Sequence, residues 1–192
     1  LSPPRGYRTS EHMVIDSTSS RNLELVETLL GRQRRGSLLW ACDFTNTSMG
    51  ARRLRQWILH PLVDRESIEA RLDAVESLLE AELVRRELRN GLQSVSDIER
   101  LNSRVAYGTA NARDLLALAR SLAELPRLAV ACAQTEDHTL LRLTYEFDSL
   151  ESLREELERA LADEPPVSLR EGGLIADGYD ERLDELRALR GS

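Results

Sequence analysis

Apolar residues recur at helical spacing along most of the chain. After Asp64, the apolar positions Ile68, Leu72, Val75 and Leu79 follow at i, i+4, i+7 and i+11, with charged residues between them. Such spacing places the four side chains on one face of a helix. We therefore predict a helix whose apolar face packs into the core.

Start and stop signals bracket this segment and several others. Thr47 is a predicted N-cap, and His60 with Pro61 should end its helix, because a residue before proline avoids helical angles. The other predicted caps are Asp64, Ser96 with Glu99, Asn111, Asp148 with Glu151, and Asp180, and the other predicted ends are Gly108 and Pro126. The shared heptad-like spacing predicts long helices packed side by side.

The first thirty residues fit two different patterns. Leu23 and Leu25 alternate as in a strand, whereas Leu23, Val26 and Leu30 keep helical spacing. The periodicity alone leaves both readings open for SSRNLELVETLLG, and MVID before it is a short apolar run.

A second non-helical region, which we call the corner, follows the predicted helix that ends near Leu161. Residues 165–178 hold two of the six prolines and three of the ten glycines. The sequences VSL and LI flank REGG, which predicts a small two-stranded ribbon near 167–175, docked on helices because such a ribbon is unstable alone. We expect the corner to fix the angle between two helices through Pro165, Pro166, Gly172, Gly173, Gly178, Tyr179 and Asp180.

The composition supports a mainly α fold. Leucine occupies 35 of 192 positions, and aromatic residues make up only 4% of the chain. The net charge of −7 makes the chain a poor free-standing nucleic-acid binder. All 26 basic residues are arginine, so the lysine of a phosphate-binding P-loop is missing.

Candidate chemical sites are few. His12, His60 and His138 lie in different segments and do not predict a metal site, and no nucleophile motif predicts a catalytic residue. Cys42 and Cys132 are read as buried free thiols of a reducing, cytoplasmic compartment, and no apolar run is long enough to predict a membrane span.

Arginines cluster at two places, Arg52, Arg53 and Arg55 in one and GRQRRG in the other. They are candidates for a phosphate or an acidic partner. A solvated helix face is the favoured reading, because on a helix these three side chains point away from Leu54 and Ile58 and no aromatic platform accompanies them.

Three ordered blocks resemble the MutS family of DNA mismatch-repair ATPases. The stretch GSLLWACDFTNTSMGARRLRQWILHPLVDRESIEARLDAVESLL is similar to the family's TxxMGxRxLRxWxxxPL and IxxRLDAVExL signatures. VSDIERLNSRV continues in order, and PPVSLREGGLIADGYDERLDELRAL resembles the family's PP…GGxIxxGYDxxLDELR block. The matching core-signature positions are Met49, Gly50, Leu54, Trp57, Pro61, Arg71, Leu72 and Asp73.

The resemblance implies a lever, or core, domain of a larger repair protein. It implies a connector junction at residues 1–20, a helical core at 21–192 that stops before the DNA-gripping clamp, and a strand-like reading of the N-terminal segment. ATP and Mg²⁺ are expected only in the parent protein, which by resemblance is a homodimer that binds mismatched double-stranded DNA and a MutL-like partner. The fragment itself is expected to hold no cofactor and to be no enzyme.

The alternatives are a free-standing helical adapter for protein interactions and a direct DNA-binding module. In the lever reading, the glycines of the corner permit special backbone angles, and Trp57 and Tyr179 anchor neighbouring helices.

Overall fold

The computed structural model describes residues 11–145, 148–168 and 170–190, and these residues are mainly helical. Ten helices lie in them: α1 (Ser17–Asn22), α2 (Leu38–Cys42), α3 (Ser48–Leu59), α4 (Arg65–Glu80), α5 (Glu82–Gln93), α6 (Ile98–Ala106), α7 (Ala112–Ala133), α8 (His138–Tyr145), α9 (Glu151–Ala160) and α10 (Glu181–Arg190). The described part of the chain contains no sheet and only two isolated antiparallel bridges. The mainly α prediction is confirmed.

Most of the predicted helix starts have the expected hydrogen bonds. The Thr47 hydroxyl accepts from the Gly50 amide at 3.0 Å, and the Asp64 carboxylate accepts from the Ser67 amide at 2.8 Å. Asn111 and Asp114 cap α7 reciprocally, each accepting the other's backbone N–H at 2.9 Å. These short polar side chains satisfy amide groups that the first turn leaves without partners.

Two predicted caps are wrong in detail. Asp97, not Ser96, caps α6 and accepts from the Arg100 amide at 3.1 Å, while the Ser96 amide donates to the Ser121 hydroxyl. Asp148 does not cap the first turn of α9, because its carboxylate bonds the amide of Leu150, which has a left-handed φ of 49°.

Pro126 does not end its helix, since α7 continues to Ala133. Proline in a helix interior removes one backbone hydrogen bond and costs about 3 kcal/mol. The side chains of Leu122 and Ala131, on either side of it, are 3% and 1% exposed. Their burial offsets that cost, which the local sequence signal does not include.

Within the segment from MVID to RNLELV, the support for a strand-like reading is limited to one backbone hydrogen bond at Met13, next to a bridge at His12. His12 forms an isolated bridge with Leu62, and the Met13 amide donates to the Pro61 oxygen at 2.8 Å. The reading is wrong for RNLELV: Asp16 caps α1, that helix ends at Asn22, and turns follow.

The predicted ribbon near 167–175 is not confirmed. Ile175 forms its described bridge with Leu161, at the end of α9. Leu169, the third residue of VSL, lies outside the described residues. The LI segment, Leu174 and Ile175, therefore pairs with the end of α9 rather than with VSL.

The chain divides into two compact units. Unit 1 comprises the described residues of Leu1–Gln93 and Leu128–Phe147, and unit 2 those of Ser94–Arg127 and Asp148–Ser192. The predicted boundary between 1–20 and 21–192 is a different division, and it stays a prediction.

Unit 1 has a core of mostly aliphatic side chains. In it, α4 packs against α5 and α8, and α2 packs against α3. Its buried apolar residues include Leu25, Leu39, Val84, Ala131 and Leu140.

The side of α4 that faces this core is not the predicted one. Leu72, Val75 and Leu79 are 61%, 64% and 68% exposed, whereas Ala70 and Ala74 are half-buried. Small side chains allow a close helix approach, and the Thr139 hydroxyl of α8 donates to the Ala70 oxygen at 3.4 Å. Periodicity correctly predicts the helix but not the face that its neighbours cover.

Unit 2 is built around the N-terminal part of α7. Leu101, Ala112, Ala119, Leu122 and Leu161 are buried in it. Ser121 is fully buried as well, and its hydroxyl donates to the Ala117 oxygen at 2.7 Å while accepting from the Ser96 amide at 2.9 Å. This buried hydroxyl thus has a hydrogen-bond partner both as a donor and as an acceptor.

The two cysteines differ from the expectation. Cys42 is exposed, and Cys132 is half-buried. Burial raises the pKa of the Cys132 thiol. Cys42 is the last residue of α2, where its side chain faces solvent.

Candidate functional site

The corner begins where α9 ends, in unit 2. Pro165 is fully buried, and its backbone oxygen accepts a hydrogen bond from the Arg113 Nε at 2.8 Å. Pro166 beside it is half-buried. Arg113 belongs to the first turns of α7, so the entry to the corner is tied to the helix at the centre of unit 2.

Backbone hydrogen bonds then join the return of the corner to the end of α9. The Ala162 amide donates to the Leu174 oxygen at 2.9 Å, and the Ala176 amide donates to the Ala160 oxygen at 3.0 Å. The buried Leu161 lies between them, opposite Ile175. This pairing fixes the place where the chain turns toward α10.

Three glycines of the corner adopt backbone angles that other residues resist. The φ angles of Gly172, Gly173 and Gly178 are 73°, 68° and 82°. A Cβ atom built at any of the three would meet no heavy atom within 4 Å. Backbone conformation, rather than crowding, therefore requires glycine here.

The first turns of α10 are tied back to the corner by charged side chains. Asp180 caps the helix by accepting from the Leu183 amide at 2.9 Å, and Asp184 accepts from the Gly178 amide at 2.8 Å. Arg187 donates to the Ile175 oxygen at 2.9 Å and to the Asp177 carboxylate at 2.7 Å. One guanidinium thereby links the second turn of α10 to the paired segment.

Tyr179 links the start of α10 to α9. Its hydroxyl donates to the Glu156 carboxylate at 2.5 Å, and the Arg159 guanidinium lies 5.6 Å from the ring centroid. The hydrogen bond from Tyr179 holds the pKa of Glu156 below its usual value, and the same bond raises the pKa of Tyr179. The structure thus places Tyr179 between the two helices that the corner joins.

The core-signature positions lie in unit 1, mostly on α3 and α4. Gly50 packs closely on the cap of α3, since a Cβ there would lie 3.0 Å from the Thr47 hydroxyl oxygen. Met49 and Leu54 are half-buried, whereas Leu72 and Asp73 are exposed. The signature therefore contains solvent-facing as well as packed positions.

Trp57 connects α3 to α4 through arginine. The Arg71 guanidinium carbon lies 4.0 Å from the Trp57 ring centroid, and that of Arg53 lies 5.8 Å from it. Such stacking favours arginine over lysine. Partial burial lowers the pKa of Arg71, and the nearby charge of Arg53 lowers it further.

The candidate phosphate-binding arginines Arg52, Arg53 and Arg55 are all exposed on α3. Arg53 donates to the Gln56 side chain at 3.1 Å. In the second cluster, Arg34 forms an ion pair with Asp43. The structure keeps the three arginines of α3 on a solvated face, as favoured above.

Some contacts of the corner were not foreseen from the sequence. Arg113 and Glu156 belong to ordinary amphipathic helices, and their patterns give no sign of a role. Arg187 lies inside the LDELR motif, and among these three residues only Arg187 had a motif in the sequence that pointed to a role.

Within the described residues, no group of three or more histidine, cysteine or acidic side chains could hold a metal ion. Over the same ranges, no helix combines the length and the apolarity needed to cross a membrane. The described contacts of the corner join it to α7, α9 and α10.

Comparison with known proteins identifies the family of the chain. The family described as MutS domain III matches residues 18–191. The DNA mismatch repair protein MutS of Desulforamulus reducens is 46% identical over 181 residues, which are 94% of this chain and 21% of that protein. The MutS proteins of Halothermothrix orenii and Geobacillus thermodenitrificans are 47% and 46% identical, over 96% and 97% of this chain and 20% of each relative.

The chain thus spans about a fifth of the length of the curated relatives it matches. The match includes the corner, α3 and α4 within a single family domain. On this match and these identities, the chain belongs to the MutS family as its domain III.

Proposed function

We propose that this domain acts as a lever in a DNA mismatch-repair ATPase. In this proposal, α10 leads from the corner toward the part of the protein that grips DNA, and rotation of the domain couples the nucleotide state to that grip. Coupling of this kind requires packed, stiff elements with two arrangements rather than a reactive group.

The observation that carries the proposal is the bracing of α10 at its root. Arg187 ties α10 to the Ile175 oxygen, Tyr179 ties its start to Glu156 of α9, and Arg113 ties the corner to α7. A helix held by two such contacts, on a corner held by a third, can pass a rotation on without bending at its base. The structure of the corner supports this role, and the family match supports its setting.

ATP and Mg²⁺ do not fit the residues of this chain. It contains no lysine, and so it cannot form the phosphate-binding loop of an ATPase. We therefore propose that the nucleotide binds in other parts of the parent protein, and that the chain alone is not an enzyme. The parent's proposed partners are mismatched DNA, a second subunit and a MutL-like protein, in a cytoplasmic setting.

Gly173 offers the most direct test of the lever role. In a mismatch-repair protein that carries this chain as its domain III, Gly173→Ala should slow ATP-dependent release from a mismatched duplex by about fivefold. The reason is that alanine at a φ of 68° is strained by about 1 kcal/mol, which shifts the direction of α10. Release can be followed by the anisotropy of a labelled duplex.

Gly173→Asn is the matched control, because asparagine tolerates left-handed angles better than alanine. It should release DNA at nearly the unmodified rate. ATP hydrolysis without DNA should stay unchanged in both variants. Equal release rates for the alanine and asparagine variants, at equal melting temperatures, would refute the lever role.

A free-standing adapter is not favoured, because the family match covers nearly the whole chain. Direct DNA binding through Arg52, Arg53 and Arg55 has a separate test, a mobility shift of the 192-residue chain at rising salt. Phosphate contacts weaken as salt rises. We expect little binding at any salt concentration, given the net charge of −7.

A further inference from the structure

A row of large apolar side chains on unit 1 faces solvent. Leu72, Val75 and Leu79 of α4 and Leu83 of α5 are 61%, 64%, 68% and 70% exposed. We call these four residues the α4 ridge. Single exposed leucines are common, but several large apolar side chains together, three of them on one face of α4, are typical of an interaction surface.

The core of unit 1 does not need the ridge. Helix α8 covers the opposite side of α4, where Ala70 and Ala74 are half-buried and the Thr139 hydroxyl reaches the Ala70 oxygen. The helix is therefore already packed through its small residues. Its large residues are left for another molecule or segment.

An acidic groove runs along one side of the ridge. At about 100° per residue, Asp73, Glu76 and Glu80 fall on the same side of α4, next to the leucines. Glu136 and Asp137, before α8, form the opposite wall of an open groove of about 670 Å³. The ridge and the groove together form one surface with an apolar half and an acidic half.

Within the described residues, the ion pairs do not include Asp73, Glu76, Glu80 or Glu136. One cation lies at the end of α4, where the Arg85 guanidinium donates to the Leu78 and Leu79 oxygens at 2.8 and 2.7 Å. The carboxylates also do not converge on one point, since no metal-binding group exists in the described part of the chain. The groove is therefore suited to several separate cationic side chains rather than to one metal ion.

We propose that the α4 ridge and its groove dock an amphipathic helix with a basic edge. Leucine-like residues of the partner would pack on the ridge, and its arginine or lysine side chains would enter the groove. This is the helix-in-groove mode of recognition, with charge complementarity setting the orientation. The proposal does not depend on the lever role.

Other occupants fit the charge less well. A second copy of this chain would bring the same acidic side, and each copy carries a net charge of −7. A nucleic acid is repelled by the groove for the same reason. A helix with a basic edge, from another part of the parent protein or from another protein, satisfies both halves of the surface.

Synthetic peptides test the proposal on the 192-residue chain. Two peptides of roughly 18 residues, about five helical turns, share a stripe of leucines, and the residues beside the stripe are arginine in one and glutamate in the other. The arginine peptide should bind at least about tenfold more tightly by fluorescence anisotropy, and its binding should weaken as salt rises. Equal binding of the two peptides, or no binding of either, would overturn the proposal.

Two substitutions locate the contact. Val75→Asp should weaken binding of the arginine peptide about tenfold or more, whereas Val14→Asp should leave it unchanged. Val14 is the matched control because it is 76% exposed, also in unit 1, and off the ridge. Both variants should keep their melting temperatures, since both positions face solvent. An equal loss in the two variants would contradict the assignment.

Charge exchange gives the sharpest outcome. The double variant Glu76→Lys with Glu80→Lys should reverse the preference, so that the glutamate peptide binds more tightly than the arginine peptide. An unchanged preference would overturn the docking geometry. A concentration-dependent dimer of the unmodified chain that Val75→Asp abolishes would instead assign the ridge to a second copy, again against the proposal.

Discussion

The corner and α4 use their side chains in opposite ways. At the corner, Arg113 and Arg187 bind backbone oxygens, and the apolar Leu161 is buried. On α4, small side chains face α8, and large ones such as Leu79 face solvent. The corner is thus stabilised by its own contacts, whereas much of the apolar surface of α4 is exposed within the described residues.

The largest expected difference between the two regions comes from removing a leucine in each. Leu161→Ala should lower the free energy of unfolding by about 2–5 kcal/mol, because the side chain is 7% exposed and leaves a cavity. Leu79→Ala, at 68% exposure, should change it by less than about 0.5 kcal/mol. Urea denaturation of both variants measures this difference. Equal losses of unfolding free energy would show that the two regions do not differ in this way.

A smaller effect is expected at Arg187. Arg187→Met should lower the free energy of unfolding by about 1 kcal/mol, because it leaves the Ile175 oxygen without its donor. The expected loss of unfolding free energy is small because the Arg187 side chain is 31% exposed and solvent screens its ion pairs. Arg182→Met, on the exposed side of α10, is the control and should have almost no effect in the same denaturation experiment.

The smallest effect concerns Tyr179 and the pH dependence of stability. The hydrogen bond from Tyr179 lowers the pKa of Glu156. A carboxyl whose pKa is lowered by folding stabilises the fold above its unfolded pKa, and the contribution is lost as the pH falls through the folded pKa. Tyr179→Phe should raise the pKa of Glu156 toward its usual value and make the acid-side loss of stability slightly shallower.

NMR titration of the Glu156 side chain measures this shift. Tyr107→Phe is the matched control, since Tyr107 is 80% exposed, and it should leave the pKa of Glu156 unchanged. An unchanged pKa in Tyr179→Phe would show that the hydroxyl does not control the carboxyl.

The sequence predicted those features of both regions that depend on nearby residues. Thr47, Asp64 and Asp180 cap their helices as expected, because a cap needs only an amide two or three residues away. The positive φ of Gly173 was expected for a related reason, since only the local backbone decides it.

The sequence did not predict what depends on distant neighbours. The spacing of Leu72, Val75 and Leu79 defines a face, but only the packing of α8 on Ala70 shows that this face is exposed. The partner of Ile175 is likewise a helix end, Leu161, which lies outside the segment that carried the turn signal. The resemblance to MutS identified the family but predicted neither contact.

The central claim is that the corner holds α10 in one direction relative to α9, and a spin-label distance tests it most directly. Labels at Ser152→Cys and Glu185→Cys, both at exposed positions, would report the distance between the two helices once Cys42 and Cys132 are replaced by serine and alanine. We predict one narrow distance distribution that broadens when Arg187→Met is added. A broad or multiple distribution before that substitution would contradict the claim.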